Sequence, residues 1–472
     1  MFTRGTTVGS FFRFADRLHP IVDQRTAVKP TLILSSTTVS ISDAYDGGNI
    51  DFVGHSENSE PLVSLKIKPD PYTELEKMHH LQYFSFRSVV GSDESDDDTA
   101  NKTIHYEIIN AKDTSYAEAW RDYTVFYTTS LNDPDSWRRK ENSSYENGKL
   151  MWSHEHEPQA TSGVYFAYFP PFSYARHLDL VERCSTYASV TSLGQSLEGR
   201  ELECITVGTG DTTAWIIHRQ HPGEHMAEFF AEGLLTRLLG LDAQGDTDGL
   251  VRRLLEKFTF YIVPSMNPDG AAKGHLRTNA CGANLNREWC DTNEEGYAAP
   301  SLERSPEVYH VLEHMQRTGC DVFCDIHGDE EMPYNFLAQP GVPNWGPRLE
   351  ALHGMFNAAY ARANPDMQQK FGYEARGYEE GKSVLNKATD QVSNRFDCLA
   401  VTLEMPFKDC WSNPDSQRGW SPARSRSLGA SLPEPLYHVH KYLRKDADED
   451  GSFWKYSSPD DAYVLPTSDY RK

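Results

Sequence analysis

The chain has 472 residues, of which 38% are hydrophobic and 24% charged, a balance typical of folded proteins rather than disordered or membrane ones. Its formal charge of −23 argues against a nucleic-acid binder, which needs clustered Lys and Arg for the phosphates. No apolar run approaches the ~18 residues of a membrane-spanning helix, and the length allows two or three domains.

From the start of the chain, Arg4, Arg13 and Arg17 with only Asp16 acidic give a weak likeness to an organellar transit peptide; the simpler reading is an extension over 1–25. Short strand-like runs then cover 32–36, 62–67, 81–90, 103–109, 123–128 and 164–169, separated by polar or Gly/Asp-rich turns. Runs of this length and spacing predict an antiparallel β-sandwich domain over 26–170. The acidic stretch 93–98 reads as a solvated loop. His154-Glu155-His156, with no further ligand nearby, reads as polar strand surface rather than a metal site.

Phe169-Pro170-Pro171 marks the junction to an α/β pattern over 171–445. A short apolar strand is expected at 214–217. A helix follows over 224–239, where Met226, Phe229, Phe230, Leu234 and Leu238 recur at helical spacing and Gly240 supplies a stop. Another strand spans 258–263. Ser305 and Pro306 open a helix that runs to Gly319, and strands follow at 321–326 and 398–403. Residues 446–472 read as a polar tail. All eight cysteines lie from Cys184 onward without a zinc-type CxxC pair, so they are expected to be thiols in a cytosol-like compartment.

Four polar motifs each follow one of these strands. They are His221-Pro222-Gly223-Glu224, Asn267-Pro268-Asp269-Gly270, His327-Gly328-Asp329-Glu330 and Glu404-Met405-Pro406. The carboxyl ends of strands are where open α/β sheets build their sites. Two His and one Glu form a catalytic zinc set that leaves one position open, which points to His221, Glu224 and His327. His218 is a further possible ligand, but it lies inside its strand. Asp325, two residues before His327, is placed to orient a ligand histidine.

With Ser192-Leu193-Gly194-Gln195-Ser196-Leu197-Glu198-Gly199-Arg200, Asn284-Leu285-Asn286-Arg287, Asp325-Ile326-His327-Gly328 and Thr402-Leu403-Glu404 added, the sequence resembles the carboxypeptidase A-like zinc peptidases over roughly residues 175–440. It resembles their cytosolic carboxypeptidase subgroup more closely. The resemblance implies a mixed-sheet α/β/α catalytic domain behind the sandwich, with Zn²⁺ as cofactor. It also implies that His221, Glu224 and His327 bind the metal, that Glu404 is the general base and that Arg277 stabilises the oxyanion. Asn286 and Arg287 would grip the substrate's terminal carboxylate.

The subgroup further implies release of acidic residues, chiefly glutamate, from peptide or protein C-terminal tails such as polyglutamylated tubulin, with no nucleic-acid or membrane partner. The oligomeric state is not legible. The sequence departs from the family in two places. The tyrosine that closes over substrate has no motif, leaving Tyr373 and Tyr378 as candidates. The residue that recognises the released side chain is one of Arg376, Lys382, Lys387 and Arg395, with Lys382 and Arg395 put forward first. Two other readings compete: a zinc amidohydrolase of the same fold acting on small acylated amino acids, and an inactive binding scaffold.

Overall fold

The computed structural model describes residues 31–34, 37–56, 61–76, 79–92, 101–157, 163–291, 299–375, 377–380 and 382–444. The expected extension, the acidic run 93–98, the tail and Arg376 lie outside them.

Alternation decides which face of each early strand is buried. In the run Lys102–Ile108, Ile104, Tyr106 and Ile108 point into a core while Thr103 stays exposed. The strands before residue 170 are β1 (Thr31–Leu34), β2 (Thr37–Ser42), β3 (Asp51–Ser56), β4 (Leu62–Lys66), β5 (Ser85–Ser92) and β6 (Lys102–Ile108). They continue as β7 (Phe126–Thr128), β8 (Arg138–Arg139), β9 (Ser144–Glu146), β10 (Lys149–His156) and β11 (Val164–Ala167). They form two sheets, ordered β1-β2-β5-β11-β7-β8 and β3-β4-β6-β10-β9. The expected sandwich is therefore present, and its pairings are antiparallel except β4 against β6, which run parallel. Aromatic rings fill the space between the sheets; Tyr106 meets Phe166 at 5.0 Å and Phe86 meets Trp152 at 6.3 Å. His156 belongs to this packing, with Nε2 2.8 Å from the Tyr106 hydroxyl, rather than to a metal site.

After the junction come α1 (Tyr174–Ser185), β12 (Ser189–Gln195), β13 (Glu201–Val207), β14 (Thr212–His218), α2 (His225–Leu239), α3 (Gly249–Leu255), β15 (Phe258–Val263) and α4 (Pro268–Lys273). Next are α5 (Pro306–Thr318), β16 (Val322–Asp329), β17 (Phe336–Ala338), α6 (Pro347–Ala363), α7 (Ala388–Phe396), β18 (Leu399–Pro406), α8 (Pro422–Ala430) and α9 (Pro433–Val439). The strands make one mixed sheet in the order β12-β13-β15-β14-β16-β18-β17.

Its centre, β15-β14-β16-β18, is parallel, so these four strands end at the same edge. Side chains alternate across it. Ala214, Ile216, Phe260 and Ile326 pack on the side of Phe230 and Leu234 of α2, whereas Trp215, Ile217 and Phe323 pack on the side of Val308 of α5 and Val392 of α7. Helices on both faces make the expected α/β/α arrangement. Among the described residues no helix is long and apolar enough to cross a membrane.

Candidate active site

The parallel strands deliver the polar motifs to one edge. β14 ends at His218 and the next turn carries His221 and Glu224; β16 carries His327, and β18 sets Glu404 directly beside His327 in register. The turn needs its glycine, because a methyl at Gly223 would stand 2.9 Å from the Leu276 carbonyl oxygen. One donor atom each of His221, Glu224 and His327 lies within 4.8 Å of the others. His221 Nδ1 is 2.6 Å from Glu224 Oε1, His327 Nδ1 is 2.8 Å from Glu224 Oε2, and the two Nδ1 atoms are 3.2 Å apart.

The far nitrogens are tied to oxygens. His221 Nε2 meets Asn284 Oδ1 at 3.2 Å, and His327 Nε2 meets Asp325 Oδ1 at 2.9 Å. Asp325 in turn accepts from Gln220, whose carbonyl accepts from the Trp289 indole, 2.8 Å in each case. Both rings are thereby oriented with Nδ1 facing the common centre, which is the arrangement that metal-ligating histidines adopt. Burial and the nearby Arg277 cation push the His221 pKa down to about 3, so that ring offers a lone pair. Burial also opposes charge on Glu224, but His221 and His327 outweigh it and hold the carboxylate ionised. Two imidazole nitrogens and a carboxylate closing on one buried point are a donor set that fits a divalent cation such as zinc. His218 is turned away, its Nδ1 2.9 Å from the Val263 carbonyl.

A cavity of about 510 Å³ opens over this centre and is lined by Arg277, Asn286, Arg287, Asp329, Glu330, Tyr373, Lys387 and Glu404 among others. Glu404 is 9% exposed and its Oε2 has no hydrogen-bond partner. Burial raises its pKa, and although His327 pulls the other way, Glu224 and Asp329 reinforce the rise. Arg277 loses solvation but stays protonated beside Tyr116, Glu224, Glu330 and Glu404, and its guanidinium donates to the Tyr116 hydroxyl at 3.1 Å. A single 3-10 turn over Leu285–Arg287 presents Asn286 and Arg287. Asn286 Oδ1 accepts from the Ala388 amide at 3.0 Å, and its Nδ2 lies 3.4 Å from His327 Nε2.

Two expected substrate-binding residues do not reach the cavity. Lys382 sits on a surface turn, its side chain 78% exposed and paired with Glu379 at 2.6 Å. Arg395 pairs with Asp291 instead. α7 approaches the cavity by its first turn, through Lys387, Thr389 and Asp390, and six residues of helix carry Arg395 about 9 Å further along the axis. Of the two candidate closing tyrosines, Tyr373 lines the cavity and donates to Asp329, whereas Tyr378 does not line it.

Tyr116, which was not foreseen from the sequence, enters the cavity from the preceding domain. Asp329 and Glu330 are visible in the sequence only as neighbours of His327. No motif signals Tyr116, since its partner Arg277 is 161 residues away in the chain.

Comparison with known proteins finds relatives of both parts of the chain. A family model described as "Zinc carboxypeptidase" matches residues 174–418, and one described as "Cytosolic carboxypeptidase N-terminal domain" matches residues 41–169. An uncharacterized protein of Zymomonas mobilis is 39% identical over 83% of this chain and 94% of its own length. A metallo-carboxypeptidase from Pseudomonas aeruginosa, solved with (2-guanidinoethylmercapto)succinic acid, is 38% identical and covers 86% of this chain and 100% of its own, with a TM-score of 0.74. Human cytosolic carboxypeptidase 4 is 30% identical over 38% of this chain, and the match spans only 17% of that larger protein.

Proposed function

The chain belongs to the zinc carboxypeptidase family, and from that membership we propose that it removes the C-terminal residue of peptides and proteins at the centre formed by His221, Glu224 and His327. In this reading those three residues hold the ion. Bound there, zinc supplies Lewis acidity toward the scissile carbonyl and the attacking water.

Glu404 takes a proton from the water as its oxygen bonds to the carbonyl carbon. It then delivers that proton to the departing nitrogen as the C–N bond breaks. Its raised pKa, set first by burial, suits a group that must both accept and release a proton. Arg277 faces the oxygen on which negative charge develops. Asn286 and Arg287 hold the terminal carboxylate, a task that suits the planar guanidinium fork. A free amino acid and a peptide one residue shorter are released. The observation that carries this reading is the joining, in one cavity, of the donor triad, a partly unsatisfied buried carboxylate and the Asn286–Arg287 pair.

The finer reading is that glutamate is the residue removed, from acidic or polyglutamylated tails. It is supported by the likeness to cytosolic carboxypeptidases and by Lys387, the one of the four basic candidates that lines the cavity among the described residues. A cytoplasmic site of action belongs to the same proposal, on the thiol state of all eight cysteines. So does the division at residue 170, with the sandwich over 26–170 and the catalytic domain over 171–445. Peptides identical except for a terminal Glu, Asp, Lys or Phe test the finer reading by mass. The Glu peptide should be trimmed fastest, and Lys387→Ala should slow it far more than the Phe peptide. Preference for Phe or Lys in the unaltered enzyme refutes glutamate release and leaves the carboxypeptidase intact.

A further inference from the structure

The segment that carries Arg277 has no helix or strand of its own after α4, so its buried backbone groups need partners from elsewhere. Three consecutive amides converge on one carboxylate of the preceding domain. Leu276 N donates to Asp70 Oδ1 at 2.7 Å, Arg277 N to Asp70 Oδ2 at 2.8 Å and Thr278 N to the same oxygen at 2.9 Å, with Thr278 Oγ1 adding a bond of 3.0 Å. Asp70 is 3% exposed, and its own amide is tied to the His80 carbonyl at 2.8 Å. Nearby, Asn49 Nδ2 donates to the Gly274 carbonyl at 2.8 Å.

The same segment touches the metal-binding turn, since the Leu276 carbonyl accepts from Gly223 N at 2.9 Å. The side chain of Arg277 is also held from the preceding domain, by the Tyr116 hydroxyl. Tyr116 is itself clamped by Gln82, which bonds to both its amide and its carbonyl at 3.2 Å. The backbone and the guanidinium of Arg277 are thus both set by residues more than 150 positions earlier in the chain.

We infer that Asp70 and Tyr116 are positioning residues for hydrolysis, through which the N-terminal domain fixes where the Arg277 guanidinium stands. The inference rests on the role proposed above for Arg277. Charge-assisted bonds from three successive amides leave the segment little freedom, and misplacement by about 1 Å costs a catalytic group on the order of 10²-fold in rate.

A double-mutant cycle on the full chain tests it, with each variant's zinc content and melting temperature measured alongside. Arg277→Ala alone should lower kcat about 10²–10³-fold, as loss of an oxyanion donor does. Asp70→Asn, which keeps the shape but turns an acceptor into a donor facing the amides, should lower kcat at least about 10-fold with little change in KM. In the Arg277→Ala background the same substitution should change nothing further. A purely structural role would cost the same factor in both backgrounds, and that result, or an unchanged kcat for Asp70→Asn, overturns the proposal. If Asp70→Asn fails to fold or loses zinc, the Tyr116→Phe cycle decides by the same criterion. Unchanged kcat in Arg277→Ala alone would overturn the reading of Arg277 and this inference with it, whereas full additivity overturns only the inference.

Discussion

Glu404 occupies a position where charge is hard to keep. It is nearly buried, with Glu224 and Asp329 close by, and one of its oxygens lacks any protein partner. Such a group suits temporary storage of a proton, and Gln keeps its shape while removing that capacity. Glu404→Gln should therefore retain zinc and peptide binding while kcat falls at least about 10²-fold. Near-normal turnover in that variant, read by release of free amino acid, would show that another carboxylate is the base. Glu404, His221, Glu224 and His327 stand out in the sequence because each follows an apolar strand, and strand ends in a parallel sheet converge. Lys382 and Arg395 stand out only as basic residues in the segment ahead of Glu404, and charge without a motif does not say where a side chain points. Asp70 and Tyr116 were illegible for a different reason: their partners are set by docking between domains, which leaves no local pattern.

At the scale of elements, α2 and α8 cross closely enough that a methyl on Gly233 would fall on the Arg426 carbonyl, and one on Gly429 on the Phe230 carbonyl. Gly→Ala within a helix usually stabilises by about 1 kcal/mol. Here the clash is with backbone and should reverse the sign, costing about 1–3 kcal/mol. Gly233→Ala should accordingly lower the melting temperature; an increase would mean that the crossing is looser.

α1 gives a pH prediction. Burial opposes charge on His177, but Glu203 and Glu228, at 3.1 and 2.7 Å on its two nitrogens, outweigh it and push its pKa up to about 9. The folded chain thus holds this proton more tightly than the unfolded chain, whose histidine pKa is about 6.5. The added stability is full below pH ~6.5 and is lost as pH rises through ~9. Melting temperature should fall across that window, and less steeply in His177→Gln; parallel slopes in the two proteins would refute the assignment. Several elements with a clear apolar run were legible, and 258–263 matches β15 end to end, whereas α6 and β13 were missed despite theirs. β12, an edge strand of mostly exposed Ser, Thr and Gln, has no such run and was missed, as was Ser/Thr-rich β2.

For the molecule as a whole, a charge of −23 sets up a field that repels acidic substrates before they reach any local basic group. If glutamate-rich tails are substrates, kcat/KM on them should rise as salt goes from about 10 to 150 mM, because screening shortens that repulsion. Neutral peptides should change little, and a fall with salt on acidic tails would contradict this. The order of the two domains was legible from the change of strand pattern near residue 170, but the cavity that both of them line was not. The core runs without a break across the join, where Tyr168 stacks on Phe407 at 4.6 Å. The proposed activity comes down to metal-dependent capture of a free C-terminus. It is tested most directly by mass spectrometry of one peptide with a free or an amidated C-terminus, incubated with the zinc-loaded enzyme and with enzyme stripped by a chelator. The zinc-loaded enzyme should remove single residues in sequence from the free peptide only, and chelation should abolish this until zinc is restored. Equal cleavage of the amidated peptide, internal cuts, or activity that survives metal removal would contradict the account.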